Sequence, residues 1–243
     1  MIKVEQIEVW GFEHAIRGMR NPMNSWDKSD TDFEDQAPVN YCDFENGNLM
    51  NIGASDMGLM KRLIAAGPEH RKFLRQIFVS MDIIAPLYWW KEFDTYKVGT
   101  AANSCSTMHK IAAKKFTLDD FSHEHLLGES SGNEGIKKLE GEDFSMYEIF
   151  PDNVLDDVVQ CLNWARLKYL ETMDKKYWWQ MIQLLPSSYN QKRTVTMNYE
   201  NVYSMIRQRT DHKLDEWNEF VATLWNLPGV KDMFVFTTEG QND

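Results

Sequence analysis

The sequence predicts a mixed α/β (α+β) protein that is rich in helix and has a small sheet. Apolar residues at helical spacing dominate the C-terminal half, most clearly over residues 152–172. The polar–apolar alternation that is typical of strands is confined to short, widely separated segments such as residues 1–10 and 192–198. Because no internal repeat or low-complexity linker interrupts the chain, we predict a single domain over residues 1–243.

The N-terminal quarter of the chain is predicted to hold a strand, two helices and a long loop. Residues 1–10 alternate as a strand, and residues 12–20 suit a short helix. Residues 21–53 are rich in Asp, Asn, Pro and Gly, which predicts a long loop or flap, and loops of this length are often functional. Ser55 is a good N-cap for a helix that stops at Gly67.

The next segment combines a strand, an aromatic turn and a run of small polar residues. Residues 69–76 are predicted to be helical, and residues 77–84 form a strand that leads into Ala85-Pro86. That pair opens a helical turn rich in aromatic residues, and small hydroxyl, amide and basic residues follow up to Lys110. Such residues suit a loop that approaches a polar ligand, with phosphate as the first guess. A surface turn between two helices is the alternative.

The C-terminal half is predicted to be mainly helical. Thr117 is a plausible cap for one helical turn, and residues 128–147, rich in Gly, Glu and Ser, predict a variable excursion. Asp152 is the predicted cap of the longest helix. Four helices and one strand complete the prediction, the helices over residues 152–172, 175–185, 200–209 and 213–226 and the strand over 192–198.

Composition restricts the classes of partner. The formal net charge of −11 argues against sequence-independent binding to duplex nucleic acid, which needs a basic face. It leaves room for a small anionic ligand, because a few local cations can hold a phosphate on an acidic protein. The longest apolar runs are short, so we expect no membrane span, and the N-terminus has no apolar signal region, which predicts a cytoplasmic location.

The cysteines and histidines predict neither a disulfide framework nor a metal site. Cys42, Cys105 and Cys161 are odd in number and have no paired spacing, which suits a reducing compartment. The single His-x-His at His123 and His125 lacks a third ligand at a characteristic spacing. We therefore predict no bound metal.

Residues 83–110 resemble the signature region of the flavin-dependent thymidylate synthases. In that family a strand ends in Ala-Pro, and aromatic and basic residues lead to the motif Arg-His-Arg-x-x-Ser-x-Asn-Glu-x-Ser-x-Arg-Tyr. Residues 95–108 of this chain align with it without a gap and read Thr-Tyr-Lys-Val-Gly-Thr-Ala-Ala-Asn-Ser-Cys-Ser-Thr-Met. The spacing matches, and many of the residues differ.

Two further blocks carry the same resemblance. Residues 184–209 are similar to the C-terminal half of the family, where Leu-Pro precedes a strand that ends in Asn and a helix then carries Arg-x-Asp. Asn198, Arg209 and Asp211 fall in register with that pattern. A weaker similarity is the Ala-Ile-Arg turn that begins at Ala15. Together the blocks cover roughly half of the chain.

The resemblance implies a fold, an activity and a set of ligands. It implies a thymidylate synthase-like, FAD-dependent transferase of nucleotide biosynthesis that acts on a deoxyuridylate-type (dUMP) pyrimidine nucleotide. A folate one-carbon donor and NADPH are further ligands that it implies. It also implies a homotetramer whose sites form between subunits.

The resemblance also assigns roles to individual residues. Arg209 would be catalytic, because a guanidinium can hold the pyrimidine and polarise it as negative charge develops. The residues implied in substrate binding are Arg20, Thr100, Asn103, Cys105, Ser106 and Arg209. The residues implied in cofactor binding are Thr95, Tyr96, Lys97 and Asn198. The alternative for Arg209 is a cation at a helix C-terminus, and for Asn198 an amide that satisfies backbone groups.

Departures from the family motif leave alternatives to the enzyme open. Lys97 keeps the charge of the family arginine without its bidentate fork, and Tyr96 replaces its histidine. Asn103 stands where the family has Glu, unless a shift of one residue returns it to the position of the family's Asn. Thr107 stands where the family has Arg, and Ile182 where it has a further Arg. The first alternative is therefore a nucleotide-binding relative without turnover, which would act as a sensor or sequestering protein. The second is an interaction protein that keeps only the fold.

Overall fold

The computed structural model describes residues 2–32, 52–129, 135–140 and 145–234. Within them, the strands are β1 Lys3–Trp10, β2 Phe78–Pro86, β3 Thr100–Ser104, β4 Ile136–Glu140, β5 Ser145–Ile149 and β6 Asn190–Asn198. The α-helices are α1 Phe12–Arg20, α2 Ala54–Ala65, α3 Leu87–Phe93, α4 Thr107–Lys110, α5 Pro151–Thr172, α6 Lys175–Leu184, α7 Tyr199–Arg209, α8 Asp215–Trp225 and α9 Val230–Met233. The predicted fold class, helix-rich with a small sheet, is confirmed.

The described residues form two compact units. The sheet unit consists of residues 2–84, 92–103 and 193–234, and the helical unit consists of residues 85–91 and 104–192. Neither unit is a continuous stretch of chain. The assignment of residues 1–243 to one domain stays a prediction.

The four-stranded sheet has the order β1-β2-β6-β3. Strands β1 and β2 are antiparallel, with Lys3 opposite Ile84 and Trp10 opposite Phe78. A bulge interrupts β1 between Glu5 and Glu8. The aliphatic residues of this segment are at even positions before the bulge, Ile2 and Val4, and at odd positions after it, Ile7 and Val9. Because side chains alternate between the two faces of a strand, the extra residue keeps the aliphatic side chains on the buried face.

Aromatic packing holds the helices of the sheet unit. Trp217 and Phe220 of α8 are fully buried, and Phe93 lies against both rings at centroid distances of 6.4 and 6.1 Å. Gly11, which precedes α1, has φ of +96° and approaches the 71–76 segment so closely that a Cβ would lie 2.1 Å from the carbonyl oxygen of Gln76. Only glycine fits there.

The helical unit is built on α5 and α6. Leu155, Val159 and Leu162 of α5 are buried at helical spacing, as the period predicts, and they pack with Met181 of α6. Pro151 occupies the first turn of α5, and Asp174 caps α6 by accepting a hydrogen bond from the backbone N–H of Lys176 at 2.9 Å. The predicted excursion at residues 128–147 contains most of the β4–β5 hairpin.

Several local predictions need correction. Ser55 does not cap α2: the cap position is Gly53, and the carboxylate of Asp30 accepts from the backbone N–H groups of Ser55 and Asp56 at 2.8 and 3.0 Å. Asp152 lies inside α5, whose cap position is Phe150. The polar run was predicted to be a loop, and it contains the short elements β3 and α4. Residues 71–76 form a 3-10 helix. The predicted loop at residues 21–53 begins with two 3-10 turns, Asn21–Met23 and Trp26–Lys28, and its residues 33–51 lie outside the described residues.

The described residues contain neither a membrane-spanning helix nor a cluster of metal-binding side chains. No helix in this part of the chain is both long and apolar enough to cross a bilayer. The same residues bring together no group of three or more His, Cys, Asp or Glu side chains that could hold a metal ion.

Candidate functional site

The N-terminal end of α7 brings together two residues of the predicted site, Thr100 and Asn198. Asn198 caps the helix, because its side-chain oxygen accepts from the backbone N–H of Asn201 at 3.1 Å. The amide of Asn201 donates to the carbonyl oxygen of Val98 and to Oγ1 of Thr100, both at 2.9 Å. Gly99 has φ of +76°, and a Cβ there would lie 2.4 Å from Nδ2 of Asn198. The segment before β3 is thus clamped against the start of α7.

The C-terminal end of α7 carries Arg209, the predicted catalytic residue. Its Nε donates to the hydroxyl of Tyr96 at 3.0 Å, and its Nη1 donates to Oε2 of Glu92 at 2.6 Å. The guanidinium carbon lies 4.7 Å from the centroid of the Trp217 ring, which is a cation–π distance. The side chain of Arg209 is 18% exposed. Arg209, which was predicted to be catalytic, and Tyr96, which was predicted to bind the cofactor, therefore lie in one cluster.

Glu92 is the anionic centre of this cluster. Besides Arg209, its Oε2 accepts from the indole N–H of Trp217 at 3.0 Å. The ring of His212 lies on the same oxygen, with Nε2 at 3.4 Å. Nε2 of His212 also lies 3.0 Å from Nη1 of Arg209, and Nδ1 accepts from the backbone N–H of Leu214 at 3.1 Å. The imidazole therefore connects the ion pair to the turn before α8.

The two ends of α7 are separated by a distance that one nucleotide can span. Asn201 and Arg209 are eight residues apart on the helix, which corresponds to about 12 Å along its axis. Tyr96 contacts one end, and Thr100, four residues later, contacts the other. A single segment of chain, residues 96–100, therefore lies along the whole of α7.

Three other predicted residues lie in the sheet unit near this segment in sequence. The hydroxyl of Thr95 donates to the carbonyl oxygen of Glu92 at 2.7 Å, which closes a turn. Lys97 is exposed, and Asn103 is exposed on β3. Of the residues predicted to bind cofactor, Lys97 is the one that presents a cation to solvent.

Cys105 and Ser106 belong to the helical unit. The backbone N–H of Cys105 donates to the carbonyl oxygen of Lys192 at 2.9 Å, and its thiol is free. Ser106 caps α4, because its hydroxyl accepts from the backbone N–H of His109 at 3.2 Å. The contacts seen for both residues are structural, and their roles in substrate binding stay predictions.

Arg20 is buried in an internal ion pair. Its Nε donates to Asp56 at 2.6 Å, its Nη2 to the hydroxyl of Ser55 at 3.0 Å, and its Nη1 to the carbonyl oxygen of Ser25 at 3.2 Å. The residue is 3% exposed, and each of its three nitrogens has an acceptor inside the protein. These contacts join α1 to the start of α2, and the role of Arg20 in substrate binding stays a prediction.

Asp56 remains a carboxylate in spite of its burial. Burial raises its pKa, but hydrogen bonds from Thr31, Arg20 and Ser29 outweigh burial and hold the pKa below its usual value. The Arg20–Asp56 pair is therefore charged on both sides at neutral pH.

The structure adds residues that sequence reasoning missed. Glu92, Trp217 and His212 surround Arg209, and Asn201 joins Thr100 to Asn198. The capping pattern Asn-x-x-Asn at the start of a predicted helix was the available signal for Asn201. Nothing in the local sequence links Glu92 to Arg209, because 117 positions separate them.

Comparison with solved structures places this fold. No protein-family model and no curated protein matches the sequence. The thymidylate synthase X (ThyX) of Helicobacter pylori, crystallised with FAD and dUMP, matches with a TM-score of 0.60 and 16% identity, covering 96% of each chain. The UMP/dUMP methylase PolB of Streptomyces cacaoi, bound with 5-Br dUMP, matches with a TM-score of 0.52 and 14% identity over 92% of this chain and 88% of its own. The chain therefore has the fold of the flavin-dependent thymidylate synthases.

Proposed function

We propose that this protein is a flavin-dependent, thymidylate synthase-like transferase that acts on a deoxyuridylate-type pyrimidine nucleotide. The fold supports this proposal, because it matches over nearly the whole chain a synthase that was crystallised with FAD and dUMP. The observation that carries it in this chain is the Arg209–Glu92 pair, which is partly exposed beside the aromatic rings of Tyr96 and Trp217.

The pair has hydrogen-bonding capacity to spare. Among the described residues, no acceptor contacts Nη2 of Arg209 and no donor contacts Oε1 of Glu92. A uracil ring has a carbonyl oxygen, which is an acceptor, next to N3–H, which is a donor. This pair complements Nη2 of Arg209, a donor, and Oε1 of Glu92, an acceptor. In our proposal the guanidinium donates to that carbonyl and polarises it, while the carboxylate accepts from N3–H. At the other end of α7, Thr100 and Asn198 orient the sugar or phosphate.

The residues proposed for the cofactor fit a flavin at some positions and not at others. Lys97 is free to pair with a phosphate, and the ring of Tyr96 can lie against a flavin ring. The hydroxyl groups of Tyr96 and Thr95 already donate inside the protein. FAD, when bound, supplies the hydride for the transfer. We expect weaker FAD binding than the complete family motif provides.

A nucleotide-binding relative without turnover is the second candidate function. The internal contacts of Arg209 favour it, because Nε and Nη1 are held by Tyr96 and Glu92 and only Nη2 remains for a ligand. The replacement of the family's Glu by Asn103 and of its Arg by Thr107 favours it as well. Such a protein would bind the pyrimidine nucleotide as a sensor or would sequester it.

One set of measurements separates these functions. The visible absorbance spectrum of the purified protein reports bound flavin, and calorimetric titration with dUMP, with and without added FAD, reports the nucleotide. Flavin together with dUMP binding supports the enzyme, and dUMP binding without flavin supports the sequestering protein. Binding of neither ligand would refute both and leave the interaction protein.

We also propose a homotetramer in the cytoplasm. Large apolar side chains are exposed on α5 and α6, which favours burial in an oligomer; they are Trp164, Leu167, Leu170 and Leu184. Cys105 and Cys161 are free thiols, which suits a reducing compartment. Sedimentation velocity tests the oligomer, and a monomer at micromolar concentration would refute it. A folate donor and NADPH are further ligands to test in the activity assay.

A further inference from the structure

The helical unit contains a cavity that none of the predicted site residues lines. Its volume is about 480 Å³, within the range of small-molecule sites, and it opens between α4, the end of α5 and the start of α6. Ile111 and Ala112 line it, and both pack against the core of this unit. Tyr169, Lys175 and Trp178 complete the part of the wall that could contact a ligand.

One aromatic wall of the cavity is fixed in place. The indole N–H of Trp178 donates to the carbonyl oxygen of Met108 at 3.1 Å, which holds the ring against α4. Trp178 and Tyr169 are partly buried and pack against the same core. A rigid indole with an accessible face is suited to stack against a planar ring, and it loses little entropy on binding.

The cation at this cavity lacks a carboxylate partner. Within the described residues, the ammonium of Lys175 contacts only aromatic rings, at 5.8 Å from the Trp178 centroid and 5.6 Å from that of Trp179. The two acidic residues of the same turn are paired elsewhere, Glu171 with Lys168 at 2.8 Å and Asp174 with Lys176 at 3.0 Å.

The surroundings of the cavity add positive charge. Ala112 lines it, and the carbonyl oxygen of Ala112 accepts from Nε of Arg166 at 3.0 Å, which places a guanidinium beside the cavity wall. In a chain with a formal net charge of −11, a concave apolar surface beside Lys175 and Arg166 favours an anionic ligand.

We propose that this cavity binds a small planar aromatic molecule that carries a carboxylate or phosphate group. The ring stacks on Trp178 above the apolar floor, and the anionic group pairs with Lys175. This site is formed within the helical unit alone, and the proposal does not depend on the proposed function.

The test uses the full chain and 2-naphthoate as the probe, titrated by calorimetry, with the neutral 2-naphthamide as its matched analogue. We expect saturable binding of 2-naphthoate, with an affinity at least about tenfold higher than that of the amide, because the charge-assisted contact is lost with the amide. No saturable binding below about 1 mM, or equal affinity for the two compounds, would overturn the proposal.

Paired variants locate the binding. Lys175→Gln should weaken 2-naphthoate binding about tenfold and leave the affinity for the amide unchanged, whereas Lys176→Gln, one residue further and paired with Asp174, should bind as the wild type. Trp178→Leu should weaken both compounds, and Trp164→Leu, on α5 and outside the cavity lining, should weaken neither. If Trp178→Leu does not fold, the lysine pair alone decides: equal effects of Lys175→Gln and Lys176→Gln would place the binding elsewhere.

Discussion

Replacing Asp56 by Asn tests the buried ion pair at the start of α2. The carboxylate is fully buried and accepts five hydrogen bonds, from Arg20, Ser29, the backbone of Asp30, and the backbone and hydroxyl of Thr31. Asn has the same shape but no charge, and its NH2 group turns one acceptor into a donor. The guanidinium of Arg20 is then left buried without a counter-charge.

The expected cost follows from that unpaired charge. Removing one partner of a buried pair typically lowers the free energy of unfolding by roughly 3–5 kcal/mol. With an m-value of about 2–3 kcal/mol/M, the midpoint of urea unfolding should fall by roughly 1–2.5 M. Tryptophan fluorescence and far-UV circular dichroism should report this shift in the variant Asp56→Asn.

Two controls sharpen the result. In Arg20→Met combined with Asp56→Asn, the unpaired charge is gone, so the double variant should lose less stability than the sum of the two single variants. Glu171→Gln removes the exposed partner of Lys168 and should unfold close to the wild type. If Asp56→Asn cost less than about 1 kcal/mol, or if the two substitutions were additive, the buried pair would not have the role described here.

Three further predictions concern acid stability, the clamp before β3 and the nucleotide. The folded pKa of Asp56 lies below its ordinary value of 3.8, so its contribution to the free energy of unfolding is complete above pH 3.8. That contribution is lost as the pH falls through the folded pKa. The variant Asp56→Asn should therefore lose less unfolding free energy than the wild type when both are titrated with acid. Gly99→Ala should lower the melting temperature, since the backbone there has a positive φ and the methyl group would meet the amide of Asn198. Gly58→Ala should not lower it, because the added methyl group would make only an ordinary contact with Arg62. dUMP should raise the melting temperature of the wild type, because a ligand that binds only the folded state stabilises it. Arg209→Ala should abolish that shift, because a charge-assisted contact is worth roughly 1.5–3 kcal/mol. An unchanged shift would refute the role of Arg209.

The sequence predicted those elements whose signal is local. The helical period of α5 and the alternation of β6 place both elements within two residues of their bounds. Even the bulge in β1 leaves a trace in the sequence, as the change of parity in its apolar positions. The prediction of the N-cap of α2 was wrong because a distant residue supplies the acceptor: Asp30 accepts from the backbone N–H of Ser55, 25 positions away.

The candidate site could be predicted only in part for the same reason. The resemblance to the family motif predicted Tyr96, Thr100 and Arg209 as site residues; Arg209 is the last residue of α7 and contacts Tyr96, and Thr100 contacts the first turn of α7. It could not identify Glu92, because an ion pair between residues 117 positions apart depends on how the chain returns after β6. Nor could it show that the guanidinium of Arg20 is held by acceptors inside the protein, since those contacts depend on Asp56 and Ser55, more than thirty positions away.

Because of the order of its strands, the sheet can be completed only late in synthesis of the protein. β6 lies between β2 and β3, so these two strands have no neighbour in common until residues 190–198 have been made. The ribosome therefore releases β1, β2 and β3 long before the strand that joins them, and during that interval the edges of β2 and β3 have unpaired backbone groups. The α5–α6 segment, by contrast, is continuous and is complete before β6 emerges. A released chain that ends at residue 185 should thus protect the amides of α5 from exchange while those of β3 exchange freely.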